Sequence, residues 1–160
     1  MYPDDAYEPL TYETDDAVYF FTSALDPLSN WSAHVVELWG QRFPTLEHGY
    51  HWRKYDEAAP EVAQAILAAP SPWAAMQIDR TISKDKRRPD WKEIKVVVME
   101  ELLRAKVAQN EDVKECLLKT GTKQIIENSP VDTFWGIGQS GKGQNMVGQL
   151  LMKIRKERAN

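Results

Sequence analysis

Hydrophobic positions predict two long amphipathic helices in the second half of the chain. Apolar side chains recur at intervals of three and four residues in the stretches 91–109 and 147–154, which is the spacing of one face of an α-helix. Asp90 precedes the first stretch and Glu93 follows three positions later, an acidic version of the capping box that starts many helices. We therefore expect both stretches to pack one face against a core.

Shorter helices are predicted where caps and prolines bound an apolar stripe. A threonine suited to the N-cap position opens the stretch 45–57, and a proline opens the stretch 60–67. Prolines separate the second stretch from a short helix at 73–79, and a further helix at 112–119 ends before a Thr-Gly pair. The chain is thus predominantly helical by prediction.

Strand signals are few and short. Residues 18–21 and 35–39 are rich in β-branched and aromatic side chains, turn residues fill 26–30, and 125–127 is one more strand candidate. We expect the first two strands to pair in a small antiparallel sheet. The fold class predicted is α+β and predominantly helical, with one compact domain at 18–158 behind an acidic arm at 1–17.

Composition narrows the class of protein. The 160 residues contain one cysteine, Cys116, so an intrachain disulfide and a four-cysteine metal site are both excluded. No apolar run approaches the roughly 20 residues that cross a bilayer, and the acidic start lacks the features of a signal peptide. We expect a cytoplasmic protein with no membrane partner; the sequence does not indicate its oligomeric state.

The net charge of −4 conceals an asymmetry between the two halves. Residues 1–80 carry a net charge of −9 and residues 81–160 a net charge of +5. A protein that coats nucleic acid is strongly basic throughout, so that class is not favoured. A locally basic face in the second half remains compatible with a phosphate-bearing substrate.

The densest polar segment lies in the helix predicted at 45–57. Glu47, His51 and Lys54 are spaced i, i+4 and i+7, so they form one stripe. A solvent-exposed face is the simpler interpretation. The alternative needs aromatic cover, which Tyr50, Trp52 and Tyr55 offer, because a lysine shielded from water can have a lowered pKa and act as a nucleophile. A zinc site is not favoured, since the histidines here are not spaced i, i+4 around a glutamate as in metalloproteases.

A glycine-rich loop at 136–143 is a second candidate site. It contains G-x-G-x-x-G and G-x-x-x-x-G-K, but it follows no βαβ strand, and Gly143 stands where phosphate-loop enzymes need Ser or Thr. A glycine-rich loop leading into a helix offers backbone N–H groups to phosphate, although a plain flexible loop is equally compatible. Trp91 and Trp135 lie at element ends, where they could stack on a planar base.

Two segments resemble the NADAR (NAD- and ADP-ribose-associated, YbiA-like) domain family. Residues 43–50, FPTLEHGY, followed by Lys54-Tyr55, are similar to its FPTVEHAYQ…KF core, and residues 28–31, LSNW, are similar to its LSNF segment. Further matches follow in order at Ser71, Pro72, Arg80, Asp90, Trp91, Met99, Gln109, Asn110, Leu117, Leu118, Thr120, Gly121, Glu127, Asp132, Trp135, Gly136, Gly138, Gly143, Asn145 and Gly148. The ordered set, spanning about residues 18–156, identifies the chain as a member.

The resemblance implies an N-glycosidase that uses neither a metal nor a cofactor. Some members resemble enzymes that cleave ribosylaminopyrimidine intermediates of riboflavin biosynthesis, and others remove ADP-ribose from guanine in nucleic acid. The expected partner is an ADP-ribosylated nucleobase or nucleic acid, with a phosphoribosyl-type small molecule as the alternative. A non-catalytic module that binds ADP-ribose or NAD, and an interaction domain using the charge asymmetry, are the other possibilities.

The resemblance also implies roles for individual residues. Lys54 is expected to attack the anomeric carbon of the ribose and form a Schiff base, Glu47 to shuttle protons, and Asp132 to position water or ribose hydroxyls. Trp91 and Trp135 are expected to sandwich the base, and the 136–143 loop to hold phosphate. The full set of expected substrate contacts is Asn30, His51, Arg80, Trp91, Trp135, Gly136, Gly138 and Asn145.

The sequence departs from the family pattern at three places. Trp31 replaces the usual Phe or Tyr, His51 replaces a more typical Gln, and residues 78–79 read Ile-Asp where the family tends towards Leu-Gly. His51 adds a further acid–base group or substrate contact. The last departure leaves the conformation of that segment open.

Overall fold

The computed structural model of the protein describes residues 10–23 and 26–159, so residues 1–9 of the predicted arm lie outside it. Within that part the chain is α+β and predominantly helical, as predicted. None of the described helices is both long and apolar enough to cross a bilayer. The elements are β1 Tyr12–Glu13, β2 Ala17–Phe20, β3 Val36–Leu38, β4 Gln41–Phe43, α1 Leu46–Arg53, α2 Pro60–Leu67, α3 Pro72–Thr81, α4 Trp91–Gln109, α5 Glu111–Lys119, β5 Gln124–Glu127 and α6 Met146–Arg158.

Contacts divide the chain into two compact units, one of residues 30–110 and one that joins residues 1–29 to 111–160. In the 30–110 unit, α1 contacts α2, α3, α4 and β4. Six of its eight residues are consequently buried, among them His48, His51 and Trp52. Strands β3 and β4 form an antiparallel hairpin, closed by Gly40 at a φ of +72°, a conformation that glycine adopts without strain.

The predicted start of α1 is confirmed, whereas its predicted end is not. The Thr45 side chain accepts a hydrogen bond from the His48 N–H at 3.2 Å, as an N-cap residue does. The helix ends at Arg53 rather than near residue 57. At Lys54 and Tyr55 the backbone bonds shorten to a three-residue spacing, with the Tyr55 N–H donating to the Trp52 carbonyl at 3.0 Å.

The capping box predicted at the start of α4 is absent. Asp90 occupies the N-cap position of α4 but its side chain makes no capping hydrogen bond. Its carboxylate instead accepts from the guanidinium of Arg88 at 2.7 Å. The prediction was wrong because an arginine two residues away outcompetes the backbone N–H groups for the carboxylate.

The other unit contains a three-stranded sheet in the order β1-β2-β5. Strand β2 pairs in parallel with β5 and antiparallel with β1. The predicted pairing of the strands near residues 18–21 and 35–39 was therefore wrong, since β2 and β3 belong to different sheets. The true partner of β3 is β4, whose Gln-Arg-Phe sequence carries no strand signal.

Part of the predicted acidic arm is also structured. Strand β1 pairs with β2, and the rings of Tyr12 and Tyr19 stack with centroids 4.4 Å apart. The ammonium group of Lys123 contacts the Glu13 carboxylate at 2.6 Å. Two residues of the arm thus extend the sheet, against the prediction of a loose segment.

Helix α6 packs directly against β5 in this unit. Gly148 lies at the contact, where a Cβ atom would stand 2.1 Å from the carbonyl oxygen of Ile125. The Asn145 side chain accepts from the Glu127 N–H at 2.8 Å and donates to the Ile125 carbonyl at 2.9 Å. A glycine and an asparagine side chain together fasten this helix to the sheet.

Candidate active site

Lys54 follows the last residue of α1 and is only 5% exposed. Its ammonium nitrogen Nζ lies 4.7 Å from the centroid of the Tyr50 ring and 5.5 Å from that of the Trp91 ring. The two rings meet edge to face, with centroids 5.2 Å apart. The lysine is therefore covered by aromatic side chains that exclude water, the condition that the sequence left open.

Glu47, His51 and Lys54 form a continuous hydrogen-bonded row along α1. His51 Nε2 lies 2.8 Å from the Glu47 carboxylate, and His51 Nδ1 lies 3.1 Å from Lys54 Nζ. The side chains of Glu47 and His51 are 13% and 6% exposed. The stripe is buried because α3 packs over this side of α1, so the solvent-exposed interpretation does not apply.

Asp79 of α3 is the residue on which this row converges. Its carboxylate accepts from Lys54 Nζ at 2.6 Å, from the Tyr55 hydroxyl at 2.5 Å and from an Arg87 guanidinium nitrogen at 3.0 Å. Its Oδ2 also lies 3.0 Å from His51 Nδ1. We call the group formed by Glu47, His51, Lys54, Tyr55, Asp79 and Arg87 the Lys54 cluster.

Burial opposes the charged form of each group in the cluster, and neighbouring charges decide the outcome. For Lys54 burial prevails over the attraction of Asp79 and lowers the pKa of its ammonium group. For His51, burial acts to lower the pKa, but the Glu47 carboxylate and the hydrogen bond with Asp79 outweigh it and raise the pKa. For Asp79, burial acts to raise the pKa, but the hydrogen bond with His51 and the charge of Lys54 hold it well below its usual range.

A basic loop between α3 and α4 lies against the end of α1. The Arg88 N–H donates to the Lys54 carbonyl at 2.8 Å, which fixes the loop to the residue that carries the amine. Lys84 and Lys86 of the same loop are exposed. The arginines of the loop pair with nearby carboxylates, whereas its lysines are open to solvent, where they suit a phosphate-bearing ligand.

Asn30 lies at the N-terminal end of α1, where its carbonyl accepts from the Glu47 N–H at 3.1 Å. Its side chain is 94% buried, since the residue is 6% exposed. The amide nitrogen contacts the sulfur of Met99 at 3.6 Å, and the amide oxygen has no hydrogen-bond partner among the residues that the structure describes. A buried acceptor of this kind suits a hydroxyl group of a ligand.

His48, the other histidine of α1, has a structural role. Its Nδ1 bonds the Thr45 hydroxyl at 2.8 Å and its Nε2 bonds the Ala69 carbonyl at 3.0 Å. Burial lowers its pKa, so the ring stays neutral and joins α1 to the segment after α2. Within residues 10–23 and 26–159 no group of three or more acidic, histidine or cysteine side chains is arranged to hold a metal.

Asp132 and Trp135 belong to the other unit, where the Asp132 side chain bonds the backbone that follows it. The Asp132 carboxylate accepts from the N–H groups of Phe134 and Trp135 at 2.9 Å and 2.7 Å. This arrangement is an Asx-type turn. The Trp135 ring meets that of Phe134 edge to face at 4.7 Å. The roles of Asp132 in positioning water and of Trp135 in stacking remain predictions.

The backbone N–H groups around the glycine-rich loop are largely used within the protein. Those of Asn145, Met146 and Val147 donate to the carbonyls of Gly136, Phe134 and Trp135 at 3.0–3.1 Å. The N–H groups of these three residues are therefore not free to bind an anion, and phosphate binding by the 136–143 loop remains a prediction. Gly136 and Gly138 are both buried in this turn, and substrate contact by them stays a prediction.

Two residues of the Lys54 cluster, Asp79 and Arg87, were not predicted as site residues. One predicted substrate contact, Arg80, makes none of the hydrogen bonds described for the cluster. From the sequence, Asp79 stands out only as a departure from the family pattern, and Arg87 is not singled out. Asp79 follows the buried Ala75 by four residues, so a carboxylate on the apolar side of α3 could have signalled a buried cation opposite it. Arg80, in contrast, is exposed.

Comparison with protein families and curated proteins identifies relatives of this chain. The family model described as NADAR domain matches residues 16–158. An N-glycosidase of Nostoc punctiforme is 36% identical over 135 residues, covering 82% of this chain and 85% of that protein. The N-glycosidase YbiA of Escherichia coli is 33% identical over 148 residues, covering 91% and 90%.

Two further comparisons extend the set. The riboflavin biosynthesis protein PYRR of Zea mays, a chloroplastic protein, is 33% identical over 159 residues, but these cover only 26% of its length. Among solved structures, the NMR structure of the E. coli protein YbiA superposes with a TM-score of 0.79 at 30% identity and covers 96% of this chain and 91% of its own.

Proposed function

The chain belongs to the NADAR domain family, and on that premise we propose that it is an N-glycosidase that removes ADP-ribose from ADP-ribosylated guanine in nucleic acid. The general activity is supported by relatives that are named N-glycosidases and share 33–36% of their residues with nearly the whole chain. The substrate and the mechanism are inferred from the residues around Lys54.

The observation that carries the proposal is the environment of the Lys54 amine. A lysine with a lowered pKa, covered by Tyr50 and Trp91, resembles the nucleophilic lysines that form Schiff bases. The surrounding side chains supply an acid–base row to Glu47. A non-catalytic binding module has no need of a buried amine held in this way.

The chemistry that we propose balances without a cofactor. The neutral amine of Lys54 attacks the anomeric carbon of the ribose, and the bond from that carbon to the base nitrogen breaks, with the base leaving together with a proton. The ring oxygen then takes a proton as the sugar opens to the Schiff base. Water adds to the C=N bond, the sugar leaves as its aldehyde and Lys54 is restored. Glu47 delivers and collects protons in these steps.

The surroundings of Lys54 support a substrate with phosphate groups and sugar hydroxyls. The basic loop anchored at Arg88 places Lys84 and Lys86 on the exposed side of this region, where they suit the diphosphate of ADP-ribose. The unpaired amide oxygen of Asn30 suits a ribose hydroxyl. Trp91 offers an aromatic surface beside Lys54 for the base.

A second candidate substrate is a ribosylaminopyrimidine intermediate of riboflavin biosynthesis. It is favoured by relatives named riboflavin biosynthesis proteins, in Zea mays and in Vibrio vulnificus. Both substrates contain a base joined through nitrogen to a ribose that bears phosphate, so the same amine serves for either.

The experiment that tests the proposal is a glycosidase assay on both substrates, followed by chromatography of the released base and sugar. Wild-type protein should release ADP-ribose from ADP-ribosylated guanine, Lys54→Ala should lose at least about 1,000-fold in kcat, and Glu47→Gln about 100-fold. Lys123→Ala, a lysine bound to Glu13 in the other unit, is the matched control and should retain activity.

Borohydride reduction during turnover tests the covalent step separately. The reduced sugar should be found on a peptide containing Lys54, and Lys54→Ala should give no adduct. An adduct on another lysine would contradict the assignment of the nucleophile. Failure of the wild-type protein to cleave either substrate would contradict the proposed function itself.

A further inference from the structure

His51 stands between two groups that the proposed reaction uses, in a geometry suited to proton transfer. One ring nitrogen, Nδ1, lies 3.1 Å from Lys54 Nζ, and the other, Nε2, lies 2.8 Å from the Glu47 carboxylate. The residue is 5% exposed, so water does not compete freely for these contacts. Lys54 therefore connects to Glu47 through the imidazole ring.

We propose that His51 is the base that takes the proton from Lys54, and that Asp79 positions the two side chains for this transfer. The inference rests on the proposed N-glycosidase function, because it explains how an amine held as an ammonium ion becomes nucleophilic. It assigns to His51 and Asp79 roles in the activation of Lys54.

The transfer is balanced within the cluster. A Lys54 N–H bond breaks and its electron pair remains on Nζ as the lone pair that attacks the sugar, while an N–H bond forms at His51 Nδ1. The transfer requires the neutral tautomer that carries its proton on Nε2, and that N–H can donate to the Glu47 carboxylate, which lies 2.8 Å away. The positive charge thus moves from Lys54 to His51, and the charges of Glu47, Asp79 and Arg87 are unchanged.

Asp79 is suited to hold both partners because it contacts each of them with the same oxygen. Its Oδ2 lies 2.6 Å from Lys54 Nζ and 3.0 Å from His51 Nδ1. Its other oxygen, Oδ1, is fixed by Tyr55 and Arg87. The carboxylate therefore stabilises the proton on either side, which keeps the energy difference between the two states small.

The proton affinities agree with this arrangement. Burial lowers the pKa of Lys54, whereas Glu47 and Asp79 raise the pKa of His51 despite its burial. The two values are drawn towards each other, and proton transfer is easiest between groups of similar pKa. The charged and titratable side chains around the ring are Glu47, His48 and Tyr50 from α1, Lys54 and Tyr55 directly after it, Asp79 from α3 and Arg87 from the basic loop.

Positions 51 and 79 are also two of the places where the sequence departs from the family pattern, with His for Gln and Asp for Gly. The structure brings both departures into direct contact. A glutamine cannot accept and release a proton at this position. The pair thus provides this chain with an acid–base group that the family pattern lacks.

The test compares the pH dependence of kcat in wild-type protein, His51→Gln and Asp79→Asn. The wild-type rate should rise with pH as His51 loses its proton and Nδ1 becomes able to accept. In His51→Gln, Lys54 must release its proton to solvent, so the rise should move to higher pH by at least about one unit. The deficit should be about 100-fold near neutral pH and shrink at alkaline pH.

Asp79→Asn should move the same rise in the opposite direction. Loss of the carboxylate weakens proton binding by both Lys54 and His51, so the rise should shift to lower pH by about one unit. His34→Gln is the matched control, because His34 bonds Ser32 outside the cluster, and its profile should follow the wild type. Gln at position 51 is the residue of the family pattern, so this variant is expected to fold.

Profiles of His51→Gln that are parallel to the wild type, lower by one constant factor, would show a merely structural role and overturn the inference. If no variant and no wild-type protein cleaves either substrate, the proposed function fails, and nitrogen-15 NMR of the histidine rings still tests the pair. The neutral His51 ring should carry its proton on Nε2, and Lys54→Met should raise its pKa. A proton on Nδ1 would overturn the inference.

Discussion

The Lys54 cluster is rich in charged side chains, and the turn before α6 is rich in glycine and backbone polar groups. Both were candidate sites from the sequence. They satisfy their polar groups differently. In the turn, backbone N–H groups from Asn145 to Val147 donate to carbonyls of the same segment. In the Lys54 cluster, the bonds join ionisable side chains to one another.

The difference distinguishes polar groups that stabilise a backbone conformation from polar groups that can take part in a reaction. Amide protons of a turn are not exchanged in a reaction, and their hydrogen bonds stabilise one backbone conformation. Protons shared among these ionisable side chains can move from one to another, and burial and neighbouring charges shift the pKa values of His51, Lys54 and Asp79. Perturbed pKa values grouped in this way are typical of functional sites.

The strongest test of this comparison is Lys54→Met, which should abolish activity at little cost in stability. Removal of the nucleophile should lower kcat by at least about 1,000-fold. The unfolding free energy should change by less than about 2 kcal/mol, because Asp79 keeps His51, Tyr55 and Arg87 as partners and a protonated His51 replaces the lost charge. Urea unfolding at pH 7 measures the second quantity.

A loss of stability near 4 kcal/mol in Lys54→Met, or retention of activity, would contradict the prediction that Lys54 serves the reaction rather than the fold. The first result would mean that the ammonium ion is needed to hold Asp79 in place. The second would mean that another amine is the nucleophile.

Gly148→Ala should give the opposite result, with lower stability and intact chemistry. The new Cβ atom would stand 2.1 Å from the Ile125 carbonyl oxygen and 2.3 Å from the Asn145 side chain. Helix α6 would have to move from β5, at a cost of about 3 kcal/mol. Urea unfolding should show this loss, while kcat per folded molecule below the transition stays at the wild-type value.

Gln149→Ala is a suitable control for Gly148→Ala, since Gln149 is an exposed neighbour on α6 and its truncation should cost less than about 1 kcal/mol. Wild-type stability in Gly148→Ala would show that α6 and β5 can separate freely. A loss of kcat in the folded variant would mean that α6 contributes to catalysis.

The sequence predicted the features that depend on neighbouring residues, and it did not predict those that depend on contacts between distant segments. The Thr45 cap, the start of α2 at Pro60 and the alignment of Glu47, His51 and Lys54 follow from spacing along one helix, and the structure contains all of them. Pairing of β2 with β5 joins segments more than 100 residues apart, and no local pattern specifies such a partner.

The same limit explains why Asp79 was missed. Its importance arises from contacts with His51, Lys54 and Tyr55, which lie 24–28 positions earlier in the chain. The failure of the Asp90 cap has a related cause, because a competing Arg88 side chain is invisible to a rule about helix starts. Sequence spacing therefore indicated the proposed nucleophile and the side chains aligned with it, whereas tertiary packing brought Asp79 into contact with them.

The smallest effect that we predict is that of Tyr55→Phe. Tyr55 is fully buried, donates to Asp79 and accepts from Arg87 at 3.3 Å. Loss of the hydroxyl should lower the unfolding free energy by about 1 kcal/mol and reduce kcat by less than about 10-fold, because Arg87, Lys54 and His51 still hold the carboxylate. Phe is the residue of the family pattern at this position, so the fold should be retained.

The pH dependence of stability makes this last prediction specific. Burial and the hydrogen bond to Asp79 raise the pKa of Tyr55 to about 12, above the value near 10 of an unfolded tyrosine. A group whose folded pKa is raised contributes stability below its unfolded pKa and loses it as the pH rises towards the folded one. The difference in unfolding free energy between wild type and Tyr55→Phe should therefore be constant from pH 6 to 9 and decrease as the pH rises from about 10 towards 12. Combining Tyr55→Phe with Asp79→Asn should give less than the sum of the two losses, since both remove the same hydrogen bond. Strictly additive losses would mean that the Tyr55 hydroxyl stabilises the protein independently of Asp79.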